Sequence, residues 1–110
     1  MEPLATFVPL PGHVLKVSGE IDLSNADAFA EALELNGTNG GVTIDASDLQ
    51  YLDSAGLRVL LVMAKKVQQA KGKVALYGLV PNVREVFAVS GFDTIFSIQP
   101  DSAAALAAVR

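Results

Sequence analysis

Hydrophobic residues recur along this chain with two different spacings. After Ser54 they return at steps of three and four residues, the period of a helix with one buried face, at Leu57, Leu60, Leu61, Ala64 and Val67. This pattern predicts a helix from near Ser54 to about Ala70 or Lys71, where Gly72 can end it. In residues 42–46 hydrophobic and polar positions instead alternate, which predicts a strand before that helix.

The segments on the N-terminal side predict three more elements. Two apolar runs, Phe7–Leu10 and Val14–Val17, are separated by Pro11-Gly12-His13. We therefore expect a hairpin of two antiparallel strands at a sheet edge. Ser24-Asn25-Ala26-Asp27 is similar to a capping box, and it predicts the start of a helix that ends at Asn36-Gly37.

The C-terminal side repeats the alternation of strands and helices. Lys73–Tyr77 is apolar on both faces, which predicts a central strand covered by helices. We then expect a helix from Pro81 to Ser90, a short strand containing Ile95, Phe96 and Ile98, and a last helix that begins at Pro100-Asp101-Ser102 and includes Leu106. The prediction is an α/β fold in one domain over residues 1–110, with a mixed sheet of about four to five strands and helices packed against it.

Composition limits the classes of function. A length of 110 residues with 51% hydrophobic content fits one compact core. No apolar run approaches the roughly 20 residues of a membrane span, and Met1-Glu2-Pro3-Leu4 does not begin a secretion signal, so we expect a cytoplasmic protein without membrane insertion. The chain has no cysteine, and its one histidine, His13, lies in the predicted turn. We therefore expect no metal site, no cofactor and no role for His13.

Charge is distributed unevenly along the chain. Up to Leu57 there are nine acidic residues and one basic residue, a balance of −8, whereas the remainder has seven basic and three acidic residues, a balance of +4. An acidic half disfavours nucleic acid as a partner and favours a protein with a basic patch. The alternative is that these carboxylates only solvate helix faces.

The segment Asp53-Ser54-Ala55-Gly56-Leu57 places one hydroxyl where the longest predicted helix begins. Unpaired N–H groups and the positive end of the helix dipole would favour a phosphate at this position. Ala55 removes a competing hydroxyl, and Gly56 has no side chain to obstruct another protein. The alternative is that Asp or Ser at this helix start is ordinary capping chemistry, which contributes about 1 kcal/mol and carries no function.

Three segments, in this order, resemble the STAS domain family, and in particular its small bacterial anti-sigma-factor antagonists. Gly19-Glu20-Ile21-Asp22 is similar to the family's Gly-Glu-Leu-Asp segment, and residues 53–57 are similar to its phosphorylation loop. Residues 81–87, followed by Ser90-Gly91-Phe92, resemble its third-helix segment. The resemblance covers nearly the whole chain and implies a STAS-like mixed sheet.

The resemblance also implies a function. In that family, the unmodified antagonist binds an anti-sigma factor that is also a serine kinase, which releases the sigma factor, and phosphorylation of the serine ends the binding. Carried to matching positions, Ser54 is the phosphoacceptor, and the docking surface contains Asp22, Asp53, Ala55, Gly56, Leu57 and Arg58. The chain is then not an enzyme. The partner kinase supplies ATP and Mg²⁺, and a serine phosphatase resets the switch.

Two other functions compete with this one. A serine hydrolase is disfavoured because Leu52 stands where the Gly-x-Ser-x-Gly motif needs glycine and because the histidine precedes Ser54 in a turn. The second is a STAS module that acts as a structural or regulatory subunit of a stress-signalling scaffold or of a lipid or anion transport complex. The sequence leaves this second alternative open, and it leaves the oligomeric state open as well.

Overall fold

Strands and helices alternate along the chain, as the two hydrophobic spacings predict. The computed structural model describes residues 4–37 and 41–108. The strands are β1 (Ala5–Leu10), β2 (Val14–Ile21), β3 (Gly41–Asp45), β4 (Leu49–Leu52), β5 (Lys73–Tyr77) and β6 (Ser97–Gln99). The helices are α1 (Ala26–Asn36), α2 (Ser54–Gln68), α3 (Pro81–Ser90) and α4 (Ser102–Ala108).

The strands form one mixed sheet. Its order is β1-β2-β3-β5-β6, with β1 antiparallel to β2 at the edge and the other pairs parallel. The hairpin, the edge position of β1 and the interior position of β5 are therefore confirmed. β2 has two partners in succession: it pairs with β3 at Val14–Lys16 and with β4 at Gly19–Ile21.

The sheet has one strand more than the four to five expected. The additional strand is β4, which has only four residues, of which Gln50 and Tyr51 are exposed. Such a short strand gives too few alternating positions to be separated from a loop by pattern alone. Its position decides the geometry of the candidate site, because Ser54 follows it by two residues.

Helices α1 and α2 pack against each other and against the sheet. The buried side of α2 contains Leu57, Leu60, Met63, Ala64 and Val67, while Leu61 is only half-buried. From α1, Phe29 and Leu33 enter the same core. The helical period thus placed all but one of the predicted α2 core residues correctly. Within the described ranges, no helix has the length and apolar character needed to cross a membrane.

Several local predictions differ from the structure. Strand β2 continues to Ile21, past its predicted end at Val17, and α2 ends at Gln68, before Ala70 or Lys71. The capping box before α1 is not formed, because Ser24 bonds to Asp22 and the side chain of Asn25 turns back to Glu20 instead of capping the helix. The last strand begins at Ser97, later than predicted, because Phe92–Thr94 form a short 3₁₀ helix. Phe96, which was expected in the strand, packs edge to face on Phe87 with ring centroids 5.5 Å apart.

A polar cluster closes the C-terminal ends of β3 and β5. Asp45 Oδ1 accepts hydrogen bonds from the backbone N–H and the hydroxyl of Ser47, at 3.0 Å and 2.6 Å. Partial burial raises the pKa of the Asp45 carboxyl, but the hydrogen bonds from Ser47 and Tyr77 and the nearby Lys16 more than offset this effect. The net result is a pKa below the usual value of 3.8.

We predict that Asp45→Asn removes an acid-dependent part of the stability. Because the folded pKa lies below the unfolded one, the ionised carboxyl stabilises the fold above pH 3.8, and this contribution is lost as pH falls through the folded pKa. Urea unfolding should therefore show the wild type more stable than the variant at neutral pH, with the gap closing in acid. A gap that stays constant at all pH values would contradict this assignment.

Candidate functional site

Two loops leave the sheet side by side at the ends of β2 and β4. Ile21 and Leu52, the last residues of these parallel strands, are paired in register. The backbone N–H of Asp53 donates to the carbonyl of Ile21 at 3.1 Å, which extends the pairing by one residue. Asp22 and Asp53 therefore follow directly from paired positions, and the two loops that the sequence analysis singled out begin together.

Asp53, rather than Ser54, caps helix α2. Its Oδ1 accepts from the backbone N–H groups of Ala55 at 2.9 Å and Gly56 at 3.2 Å. Ser54 is the first residue of the helix. The expectation that Ser54 occupies the cap position is therefore wrong by one residue, and the physical reason is that a carboxylate accepts from two amides more strongly than a hydroxyl does.

This cap changes what a phosphate on Ser54 would meet. From the sequence, several unpaired N–H groups are expected at this end of α2, but Asp53 already bonds to two of them. Ser54 itself is exposed, and neither its hydroxyl nor its N–H has a hydrogen-bond partner in the part of the chain that the structure describes. The hydroxyl is thus free to react, and a phosphate on it would stand beside a carboxylate.

Residues 22–25 form a loop fixed by its own hydrogen bonds. Asp22 Oδ1 accepts from the backbone N–H of Ser24 at 2.8 Å and from its hydroxyl at 2.5 Å. The hydroxyl of Ser24, followed by its N–H, holds the pKa of the Asp22 carboxyl below its ordinary value. Asn25 accepts from the N–H of Asp22 and donates to the carbonyl of Glu20, both at 2.9 Å.

Gly56 and Leu57 are buried, so the structure gives them a different role from the one predicted. A Cβ on Gly56 would lie 2.4 Å from Leu52 Cδ1 and 2.6 Å from Ile21 Cγ2. The missing side chain therefore lets α2 approach β2 and β4 closely, and it is not open space left for a partner. Leu57 is only 8% exposed and belongs to the core.

The other two residues predicted for docking lie on the surface. Ala55 is half-buried beside Ser54, and Arg58 is exposed one turn further along α2. Arg58 also lines an apolar groove between α1 and α2, together with Ala30, Val59 and Val62. The structure thus brings Asp22, Asp53 and Ser54 together at the C-terminal ends of β2 and β4, with Arg58 one turn further along α2.

The surface around Ser54 carries uncompensated negative charge. The ion pairs among the described residues join Lys16 to Asp48 and Lys66 to Glu34. Within the same residues, Glu20, Asp22 and Asp27 have no cationic partner. In the described ranges no three His, Cys, Asp or Glu side chains are grouped as metal ligands would be.

Sequence reasoning missed one surface residue beside the site. Leu23 is 81% exposed, between Asp22 and Ser24. Leucine in a loop usually turns inward, so the signal available in the sequence was a large apolar residue flanked on both sides by polar ones.

Comparison with known proteins agrees with this fold. Residues 8–100 match the protein family described as "Mlab, STAS domain". The chain belongs to the STAS domain family. The match begins within β1 and ends one residue after β6. It therefore covers the whole sheet except the first three residues of β1, residues 5–7.

Several known proteins resemble the chain along most of its length. BtrV of Bordetella bronchiseptica, provisionally named an anti-sigma factor antagonist, is 38% identical over 96 residues, which is 86% of this chain and 83% of BtrV. The anti-sigma-B factor antagonist of Listeria monocytogenes is 33% identical, covering 76% of this chain and 75% of that protein. A crystal structure of an anti-sigma factor antagonist from Mycobacterium paratuberculosis superposes with a TM-score of 0.80 at 29% identity, covering 96% and 92% of the two chains.

We predict that Gly56→Ala destabilises the STAS fold. In most helix positions this substitution stabilises by up to about 1 kcal/mol, but here the new methyl group would collide with Leu52 and Ile21, at a cost of about 1–3 kcal/mol. Urea unfolding measures the change. Ser54→Ala, in the same helical turn but on an exposed side chain, is the control and should alter stability by less than about 0.5 kcal/mol. A stabilised Gly56→Ala variant would contradict the packing argument.

Proposed function

We propose that this STAS domain is an anti-sigma-factor antagonist whose binding to a serine kinase is switched by phosphorylation of Ser54. The observation that carries the proposal is the exposed, unbonded hydroxyl of Ser54 beside two loops fixed at one sheet edge. The names of the relatives from Bordetella, Listeria and Mycobacterium support the general role. The docking surface, as refined by burial, consists of Asp22, Asp53, Ser54, Ala55 and Arg58.

Electrostatics accounts for the switch without a change of fold. A phosphate adds about −1.5 to −2 charges next to the Asp53 carboxylate. Arg58, four residues further along the helix, offers only one positive charge in return. A partner that fits the unmodified surface would therefore meet a like-charged and strongly hydrated group at the centre of the contact. A loss of about 2.8 kcal/mol of binding free energy corresponds to a hundredfold in affinity.

Catalysis of the phosphoryl transfer belongs to the partner in this proposal. The kinase brings ATP, Mg²⁺ and the base, and a serine phosphatase reverses the modification. The serine hydrolase alternative fails on distance: His13 precedes the first residue of β2, whereas Asp22 follows the last, and eight residues of strand span roughly 25 Å. The imidazole of His13 therefore lies far from the Ser54 hydroxyl.

Co-purification tests the proposal and distinguishes it from the alternative subunit role. The tagged chain is isolated from its native cells, the captured proteins are identified, ATP is added, and Ser54 is mapped by mass spectrometry. A captured kinase that is released as Ser54 becomes phosphorylated supports the antagonist. Stable capture of scaffold or transporter subunits, without phosphorylation, would instead support the structural role.

We predict that Ser54→Asp weakens binding to that kinase at least tenfold, because it introduces a like charge at the contact. Ser54→Ala should bind as the wild type does and remain bound after ATP is added. The chain contains its own control, since Asp101-Ser102-Ala103 repeats the local sequence at the start of α4, where Asp101 accepts from the N–H of Ala104. Calorimetry should show no effect of Ser102→Asp. Equal affinities for Ser54→Asp and Ser54→Ala would contradict the switch.

We further predict that Asp22→Asn weakens the complex more than Asp93→Asn does. Both substitutions remove one negative charge, but only Asp22 lies in the loop beside Asp53. The asparagine oxygen can still accept from the N–H of Ser24, so the variant tests charge with little change of loop shape. The measurement is the dissociation constant at low ionic strength, and the reverse ranking would contradict the location of the docking surface.

A further inference from the structure

Leu23 is displayed at the tip of the loop that follows β2. Its side chain is 81% exposed, although its neighbours in sequence are fixed. The carboxylate of Asp22 holds Ser24 on one side, and Asn25 ties the loop to β2 through the carbonyl of Glu20. A single exposed leucine is ordinary on a protein surface. Here, however, five hydrogen bonds hold the loop backbone on both sides of Leu23. One of the five is the backbone bond from Asn25 N to Asp22 O.

A fixed backbone lowers the cost of using this leucine in a contact. A flexible loop loses conformational entropy when a partner orders it, whereas a loop already held by its own hydrogen bonds loses little. The hydrophobic gain from covering the side chain is then retained as binding free energy. The loop is therefore suited to inserting Leu23 into a pocket.

The surroundings of Leu23 define what the partner must look like. The sequence has no lysine, arginine or histidine between Lys16 and Arg58. The carboxylates of Glu20, Asp22 and Asp27 lie near the end of β2, on the loop and in the first turn of α1, respectively. A complementary surface would therefore have an apolar pocket bordered by lysine or arginine side chains.

We propose that Leu23 is the apolar anchor of the docking surface and that it occupies such a basic-rimmed pocket on the kinase that phosphorylates Ser54. This inference rests on the proposed function and adds a residue and a pocket chemistry to it. Asp22 and Asn25 are positioning residues, because their hydrogen bonds set the direction in which Leu23 projects. The negative charge beside Ser54 and the anchor on the adjacent loop then act on the same partner.

The chain offers a matched control for this residue. Leu35 is also 81% exposed, and it lies near the other end of α1, roughly 14 Å further along the helix axis than the first helical residue. Replacing either leucine by alanine removes the same atoms from a solvated position. Neither substitution should change the stability of the domain by more than about 0.5 kcal/mol.

Calorimetry with the purified kinase from the co-purification experiment tests the anchor. Leu23→Ala should weaken binding about tenfold or more, and Leu35→Ala should stay within twofold of the wild type. Affinity of Leu23→Ala within twofold of the wild type, with Ser54→Asp still strongly impaired, would overturn the anchor and leave the proposed function standing. Failure of any kinase to bind in a manner that depends on Ser54 would overturn both.

A double-mutant cycle separates positioning from general loop stability. Asn25→Ala removes the bonds to Glu20 and Asp22, and it should weaken kinase binding severalfold in the wild-type background. In the Leu23→Ala background the same change should have little further effect, because the anchor it positions is gone. Additive losses in the two backgrounds would overturn the positioning role.

Discussion

The parallel pairing of β2 with β4 is the constraint on which the site depends. The register that joins Ile21 to Leu52, extended by the bond from Asp53 N to Ile21 O, makes two loops from distant parts of the sequence start at one point. Local hydrogen bonds fix the shape of each loop, and the strand pairing fixes the position of one loop relative to the other. Gly56 completes the arrangement, since only hydrogen in place of a side chain lets α2 begin directly above this pair of strands.

At the start of α2, the residue that caps the helix and the exposed serine are different residues. Asp53 satisfies the amides of Ala55 and Gly56, so the helix is stable whether or not anything happens at Ser54. The serine hydroxyl, released from capping, points into solvent. A modification there changes the surface charge without removing an interaction that the fold needs.

Much of the fold and part of the candidate site could be predicted from the sequence, and the predictions that were wrong have physical reasons. The long amphipathic helix α2 was predicted from its helical period, and the buried strand β5 from a short apolar run between the glycines Gly72 and Gly78. Strand β4 was missed because pairing with β2, a tertiary event, makes an extended segment of only four residues into a strand. The cap was misplaced because Asp53 and Ser54 are both good capping residues, and the spacing of apolar positions fixes a helix end only to within a residue or two. Residues 24–27 resembled a capping box because side chains such as those of Ser24 and Asn25 can bond forwards to a helix or backwards to the preceding loop.

If Ser54 is phosphorylated as proposed, the charge distribution places the response to the phosphate in a partner and not in this domain. Within the described residues the cations of Lys16 and Lys66 are already paired with Asp48 and Glu34. Arg58 is the nearest exposed cation along the helix, and its single charge cannot balance both a phosphate and the adjacent Asp53. Neither these lysines nor Arg58 therefore forms, among the described residues, a basic site that would bind the phosphate and drive a rearrangement. The proposed switch needs no change of fold in this domain. A change of charge at Ser54 is enough when the partner that binds there is positively charged.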